Sequence, residues 1–389
     1  MKTREKHHCS SCGHKTRRGL PRLNFVAVLT ALFFILAGSG SVYLALHNPV
    51  AGTANEIPTA RVFRICPVQD CSGYPRPSKI KGITISSLQG YLLFTKAAAA
   101  QIAAVHCMPR LHPGCEHHHW QGNTVRLQIE QDKLVGANGD KFNSDYARII
   151  RQVVGRALRY HEYVVLNAQT EQTVGYGLNE PMPTLATFRF WQYFTKQYGT
   201  FPHVVFDLFN EPRESSWDEW RADFQALINY IRRQGSVNQL WVEGRTWGST
   251  LQGVPLLVGQ GIVYSYHHPG CPHQYQCPVS EKTWWDAFGS YAARGVPVVN
   301  GEFVNFTGGY VWAYATETVT KYLLDLHKWH IGVIAWSLQP GVMTTGLDLG
   351  KPITEPQGAG MLVWRDFHGT LGKVTTIKNT FEMAEGEAR

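Results

Sequence analysis

Beyond its first 22 residues the chain carries almost no net charge. Of the formal +8, Lys2, Arg4, Lys6, Lys15, Arg17, Arg18 and Arg22 against Glu5 supply all but two charges. The balance does not describe a nucleic-acid-binding surface, and no such partner is expected. Charged residues make up only 17% of 389, while 44% are hydrophobic and 12% aromatic, which excludes a disordered or low-complexity chain and allows one large core. A glycine-rich phosphate loop after an early strand is also missing, since Gly82-Ile83-Thr84-Ile85 lacks it. That argues against a doubly wound nucleotide-binding sheet. Finally, no pair of histidines has the His-Glu-x-x-His spacing of a zinc hydrolase.

A second absence is local. Residues 23–46 contain no Lys, Arg, Asp or Glu, and the run is strongly apolar over 25–37. At about 1.5 Å per residue such a stretch spans the ~30 Å hydrocarbon core, and its basic flank puts 1–22 in the cytoplasm and everything after residue 47 outside. A cleaved signal peptide is the alternative, with Gly38-Ser39-Gly40-Ser41 as small residues near a cleavage point. Both readings export the rest of the chain, either to the outer face of the membrane or into the medium. Residues 47–62 read as a linker and 63–389 as one large domain.

Cysteine usage agrees with export. Beyond the apolar run six cysteines fall into three local couples, Cys66 with Cys71, Cys107 with Cys115 and Cys271 with Cys277, expected to staple loops in an oxidising compartment. Cys9 and Cys12 beside His7, His8 and His14 form a lone Cys-x-x-Cys, a weak zinc signal without a second pair. The cluster of His106, Cys107, His112, Cys115, His117, His118 and His119 precedes the second strand and reads as a stapled surface loop. No metal and no cofactor are expected.

From residue 78 onward short β-branched runs alternate with stretches of helical pattern. Strand candidates centre on Ile83, Thr124, Tyr163, Val204, Leu240, Val263, Val298 and Ile334, with room for helices over 92–106, 144–160, 184–199, 217–234, 282–294 and 316–329. The interval between the fifth and sixth strands is short and must carry a reduced helix. Eight such alternations predict an α/β fold, a (β/α)8 TIM barrel behind an N-terminal hydrophobic segment.

Two of these strands end in a glutamate. Val-Val-Phe-Asp-Leu-Phe-Asn-Glu-Pro at 204–212 stops at Asn210-Glu211, and Pro-Val-Val-Asn-Gly-Glu-Phe at 297–303 delivers Glu302. Barrel enzymes keep their chemistry at the C-terminal ends of the strands, so both carboxylates belong over one mouth. Paired carboxylates suit glycosidic cleavage, in which one protonates the leaving oxygen while the other attacks the anomeric carbon or activates water.

These motifs resemble glycoside hydrolase family 5, the cellulase-like retaining β-glycosidases, over roughly residues 78–340. The resemblance implies Glu211 as acid/base and Glu302 as nucleophile. It implies Arg126 beside the nucleophile, Asn210 on a sugar hydroxyl, His267 bonding the acid/base or substrate, and Trp336 stacking on the sugar at the point of cleavage. Two positions depart from the family pattern. Gln169 stands where the third strand usually ends in histidine, and His267-His268-Pro269 replaces His-x-Tyr. Tyr264 and Tyr266 face away from His267 by strand alternation, which leaves Tyr275 as a candidate substitute. Trp247 and at most one of Trp284 and Trp285, which as neighbours divide between core and surface, are candidate sugar-groove aromatics; Trp120 and Trp217 read as packing.

The expected activity is retaining hydrolysis of a β-linked polysaccharide or oligosaccharide, first of all an endoglucanase-like attack on β-glucan, with mannan or another β-glycoside as the alternative. Two rivals come from other classes. One is a non-catalytic polysaccharide-binding barrel, and the other a metal-dependent hydrolase built on the 106–119 cluster.

Overall fold

The computed structural model describes residues 63–85, 102–106, 119–169, 180–213, 215–267, 280–303, 316–338 and 358–371, with Met108, Arg110, Met343 and Pro356 as single residues between them. The 23–46 segment, the Cys9-x-x-Cys12 motif, most of the 106–119 cluster, Pro269, Tyr275 and the Cys271 and Cys277 couple lie outside the described residues. Among the described residues no helix is long and apolar enough to cross a membrane.

Eight parallel strands close into a barrel in sequence order. They are β1 Lys81–Ile85, β2 Thr124–Glu130, β3 Tyr163–Gln169, β4 Val204–Asp207, β5 Leu240–Glu243, β6 Ile262–His267, β7 Val298–Phe303 and β8 Gly332–Ala335. All eight predicted strands are present, because strands covered on both faces read as apolar runs that stand out from the amphipathic segments between them.

Alternation along each strand divides the core in two. Val164, Leu166 and Phe206 point outward into a large cluster with the helices. Val165, Val205, Trp241, Val263, Val299 and Ile334 point inward and, with Ile80, close the barrel floor. One inward step further along each strand the chemistry changes. Asn167 follows Val165, Asp207 follows Val205, Glu243 follows Trp241 and Ser265 follows Val263, all buried. An apolar floor therefore carries a polar layer just below the mouth.

The surrounding helices form for ordinary reasons. Ser144–Arg159 buries Ile150, Val153, Val154 and Ala157 at the spacing of one helical face, and Asn143 caps it by accepting the Tyr146 N–H at 3.0 Å. In Trp217–Arg233 a capping box joins Ser216 and Glu219. Leu185–Tyr198 and Trp217–Arg233 each send a buried tryptophan to a strand end. Trp191 Nε1 donates to Leu208 O and Trp220 Nε1 to Glu243 O, both at 2.9 Å. Two large core residues thus also fix the backbone where β4 and β5 reach the mouth.

The predicted reduced helix between β5 and β6 is absent. Thr246, Trp247 and Gly248 are all left-handed, and an isolated antiparallel bridge joins Arg245 to Thr250. Three successive residues at positive φ cannot propagate a right-handed helix.

Of the three cysteine couples, Cys66 and Cys71 form a disulfide. Trp284 and Trp285 divide between core and surface, as adjacent residues on a helix do, but neither belongs to the mouth. Trp284 packs edge-on against Tyr322 and Trp285 against Trp329, which lies just before β8 at the opposite end of the barrel. Trp120 is fully buried and Trp217 packs edge-on against Trp220, both as packing residues.

Candidate active site at the barrel mouth

Arg126 organises the polar layer. Its side chain is fully buried, and four of its N–H directions are used: Nε donates to Asp207 Oδ2 at 2.9 Å, Nη1 to Glu302 Oε2 at 2.7 Å, and Nη2 to Asn210 Oδ1 at 2.8 Å and Glu243 Oε1 at 3.1 Å. One guanidinium therefore ties together the ends of β4, β5 and β7. A planar fork with five donors suits this task better than an ammonium.

Glu302 reaches the mouth through an irregularity. Val299 faces inward, so strict alternation would turn Glu302 outward, toward the helices. The β6–β7 register slips between Tyr266 and His267, which pairs His267 with Glu302, and β7–β8 slips between Asn300 and Phe303. Asn300 holds the bulge by donating from Nδ2 to Tyr266 O at 2.9 Å and Glu302 O at 3.1 Å. Bulges re-aim side chains in this way beside many active sites. Gly301 is needed at the same point, since a Cβ there would sit 2.0 Å from Ser265 Oγ.

Glu211 arrives by a second departure from regular geometry. Its φ is +50°, unusual for a non-glycine residue, and its N–H donates to Glu243 Oε2 at 2.6 Å. His267 closes the group, with Nδ1 3.0 Å from Glu211 Oε1 and Nε2 3.2 Å from Glu243 Oε1. One donor atom each from Glu211, His267 and Glu302 lie within 4.8 Å of one another. Such a trio has room for a cation; among the described residues of the 106–119 cluster, His106 Nδ1 instead bonds Gly122 O and His119 stacks on His368.

The other residues expected at the site surround this trio or lie against it. Trp336 is half-buried and donates from Nε1 to Gln128 Oε1 at 3.1 Å, and Gln128 Nε2 lies 3.4 Å from Glu302 Oε2. Gln169 ends β3 on the inward face, two residues beyond Asn167, and is buried. Trp247 lies against the Glu211 turn rather than within the trio: its backbone N–H donates to Pro212 O at 3.1 Å, and the Arg213 guanidinium stands 4.7 Å over its ring. As alternation predicts, Tyr266 faces the helices, where its hydroxyl meets that of Tyr322 at 2.9 Å.

Four participants do not stand out in the sequence: Gln128, Asn167, Asp207 and Glu243. Each lies an even number of residues from an inward-facing one on its own strand, so the period of two could have found them. Glu243 is the most visible, ending β5 much as Glu302 ends β7.

Two members of the layer hold protons more firmly than usual. Burial and the Glu243 charge push Asp207 up to about 8, against the opposing pull of Arg126 and His267. For His267 burial acts downward, but the Glu243 charge, the contacts with Glu211 and Glu243 and the Glu302 charge raise it to about 10. Both groups bind more protons folded than unfolded, Asp207 between its ordinary 3.8 and about 8, His267 between 6.5 and about 10. Stability from these two is complete at the acid side of each window and declines as pH rises through it. The melting temperature is expected to fall between pH 6.5 and 10, and less steeply in His267→Gln, by calorimetry at constant ionic strength. A melting temperature that rises over this range, or an unchanged slope in the variant, would contradict the assignment.

A family profile described as Cellulase (glycosyl hydrolase family 5) matches residues 115–341, more than half of the chain. No curated protein matches. Among solved structures, the cellulase Cel5C_n is 17% identical with a TM-score of 0.58, covering 81% of this chain and 95% of that one. The cellulose synthase subunit Z of Clostridioides difficile is also 17% identical, with a TM-score of 0.52 and coverage of 75% and 98%. XacCel5A, solved in complex with cellopentaose, is 17% identical with a TM-score of 0.50 and coverage of 64% and 87%. The barrel, its parallel order and the family match agree: the chain belongs to glycosyl hydrolase family 5, the cellulases, and is a glycoside hydrolase.

Proposed function

We propose that the enzyme cleaves β-glucan chains with retention, using Glu302 as nucleophile and Glu211 as acid/base. The observation that carries this is the approach of one Glu211 oxygen and one Glu302 oxygen to within 4.8 Å across a single mouth. Retaining glycosidases keep their carboxyl groups about 5–5.5 Å apart, whereas inverting ones need ~6.5–9.5 Å to admit a water.

In the first step Glu302 attacks the anomeric carbon while Glu211 gives its proton to the departing glycosidic oxygen, leaving a covalent glycosyl-enzyme. In the second, Glu211 takes a proton from water, the water oxygen attacks the same carbon, and Glu302 departs as carboxylate. Arg126, at 2.7 Å from Glu302, favours the ionised nucleophile. Asn210 gives its carbonyl oxygen to Arg126, so its amide nitrogen is the group offered to a sugar hydroxyl. Trp336 and Gln169 complete the floor under the sugar, and Trp247 extends the binding surface beyond the Glu211 turn.

The substrate class follows the family and the cellopentaose bound by XacCel5A. The Cys66–Cys71 disulfide supports an exported domain, and residues 23–46 are proposed to anchor it or to direct its secretion. One experiment addresses substrate and location together. The full-length chain is expressed, cells are fractionated, and each fraction is assayed for reducing ends on β-1,4-glucan, β-1,3-glucan, mannan and xylan. Release from a β-glucan in the membrane or extracellular fraction is expected, and it persists in chelator. Preference for mannan or xylan, activity confined to the cytosol, or abolition by chelator would each overturn the corresponding part.

A further inference from the structure

Glu243 is not placed to attack or protonate the substrate, yet it touches the groups that govern Glu211. Its side chain is fully buried at the end of β5, and Trp220 Nε1 fixes its carbonyl at 2.9 Å. Oε2 accepts the Glu211 N–H at 2.6 Å, and Oε1 lies 3.2 Å from His267 Nε2 and 3.1 Å from Arg126 Nη2.

These contacts divide between two tasks. Oε2 supplies the acceptor that holds Glu211 in its left-handed backbone, a conformation disfavoured for a residue with a Cβ. Oε1 lies 3.2 Å from the far nitrogen of His267, a charge contact rather than an aligned hydrogen bond, while Nδ1 faces Glu211 Oε1 at 3.0 Å. Gly248 lies against the same residue: its carbonyl accepts the His267 backbone N–H at 2.6 Å, and a Cβ on it would come 3.1 Å from the imidazole Cγ, so only glycine allows this approach. Backbone and carboxyl group of Glu211 are thus both referenced to one buried carboxylate. Second-layer hydrogen bonds of this kind set the orientation of the groups they touch.

We propose that Glu243 is a positioning residue for the acid/base, fixing Glu211 through its N–H and through His267; this rests on the reading of Glu211 as acid/base. The charge of Glu243 also bears on Arg126, so a nucleophile-side role has to be separated from the acid/base role. Leaving-group dependence does so. Cellopentaose needs a proton on its departing oxygen, whereas 2,4-dinitrophenyl β-cellobioside releases 2,4-dinitrophenolate without one, and kcat/KM reports only the steps up to glycosyl-enzyme formation.

In full-length Glu243→Gln, kcat/KM on cellopentaose is expected to fall on the order of 10²-fold, the lower range of acid–base contributions, with less than about fivefold loss on the dinitrophenyl glycoside. Glu243→Asp, which keeps the charge beside Arg126 but shortens the reach to the Glu211 N–H, is expected to show the same split should the glutamine variant not fold. Equal losses on both substrates in a folded variant, or no loss on either, would overturn the proposal. Glu211→Ala is measured alongside: if it shows no such split, the acid/base reading itself fails, whatever the Glu243 variants do.

Discussion

Glu302→Ala is expected to lower hydrolysis of cellopentaose by at least about 10⁴-fold, in keeping with the loss when other enzymes are stripped of a nucleophile. The fold should survive, because Arg126 keeps Asp207, Asn210 and Glu243 as partners when Glu302 is gone. The same variant gives a more specific result with azide and an activated aryl glucoside. Azide takes the place vacated by the carboxylate, attacks the anomeric carbon once and yields the α-glycosyl azide. In Glu211→Ala the glycosyl-enzyme still forms from the activated substrate, and azide displaces Glu302 to give the β-glycosyl azide. Opposite anomers from the two variants assign the two roles, and the same anomer from both would refute the assignment. A Glu302→Ala enzyme that releases reducing ends at the wild-type rate would instead favour a barrel that binds glucan without turning it over.

Arg126→Met is expected to have the largest effect on stability. It leaves Asp207, Glu243 and Glu302 in one buried layer without the cation they share. Removing one partner from a buried ion pair typically costs about 3–5 kcal/mol, which in a domain of this size lowers the melting temperature on the order of 10 °C. Activity should fall with it, since neither Glu302 nor Asn210 keeps its anchor. The two losses can be separated by adding Asp207→Asn and Glu243→Gln to the methionine variant. Glu243→Gln removes an uncompensated charge and Asp207→Asn replaces a carboxyl that burial already holds protonated at neutral pH, so the melting temperature should recover in part while activity does not. Recovery of neither would mean that the guanidinium serves packing rather than charge balance.

Most of the barrel was legible in the sequence, and the limits are instructive. A strand with both faces covered is an apolar run whatever its neighbours do, so Val204–Asp207 and Val298–Phe303 announced themselves. Glu211 was legible because a proline follows it and closes the apolar run, although β4 itself stops at Asp207. The orientation of Glu302 was not: it depends on the register slip that Asn300 stabilises, and a bulge leaves no periodic mark. Asp207 sits inside an apolar run and Glu243 closes one, and the burial of both is tolerable because Arg126 comes across from β2, a contact made between residues 81 and 117 positions apart. The stretch from 244 to 261 was misread as helix-bearing because the eightfold alternation called for a helix there despite the short interval, whereas the left-handed turn at 246–248 decided otherwise. Trp285 was misread for a related reason, since an exposed aromatic does not disclose which end of a barrel it faces.

Retention by double displacement is the centre of this account, and the configuration of the first product tests it most directly. Proton NMR of cellopentaose during the first minutes of hydrolysis resolves the anomeric protons of newly formed reducing ends before mutarotation mixes them. Two successive inversions at the same carbon predict that the β-anomer appears first and the α-anomer grows in only by mutarotation. Initial release of the α-anomer would mean a single inversion by water, and would contradict both the nucleophilic role of Glu302 and the reading of the carboxylate spacing.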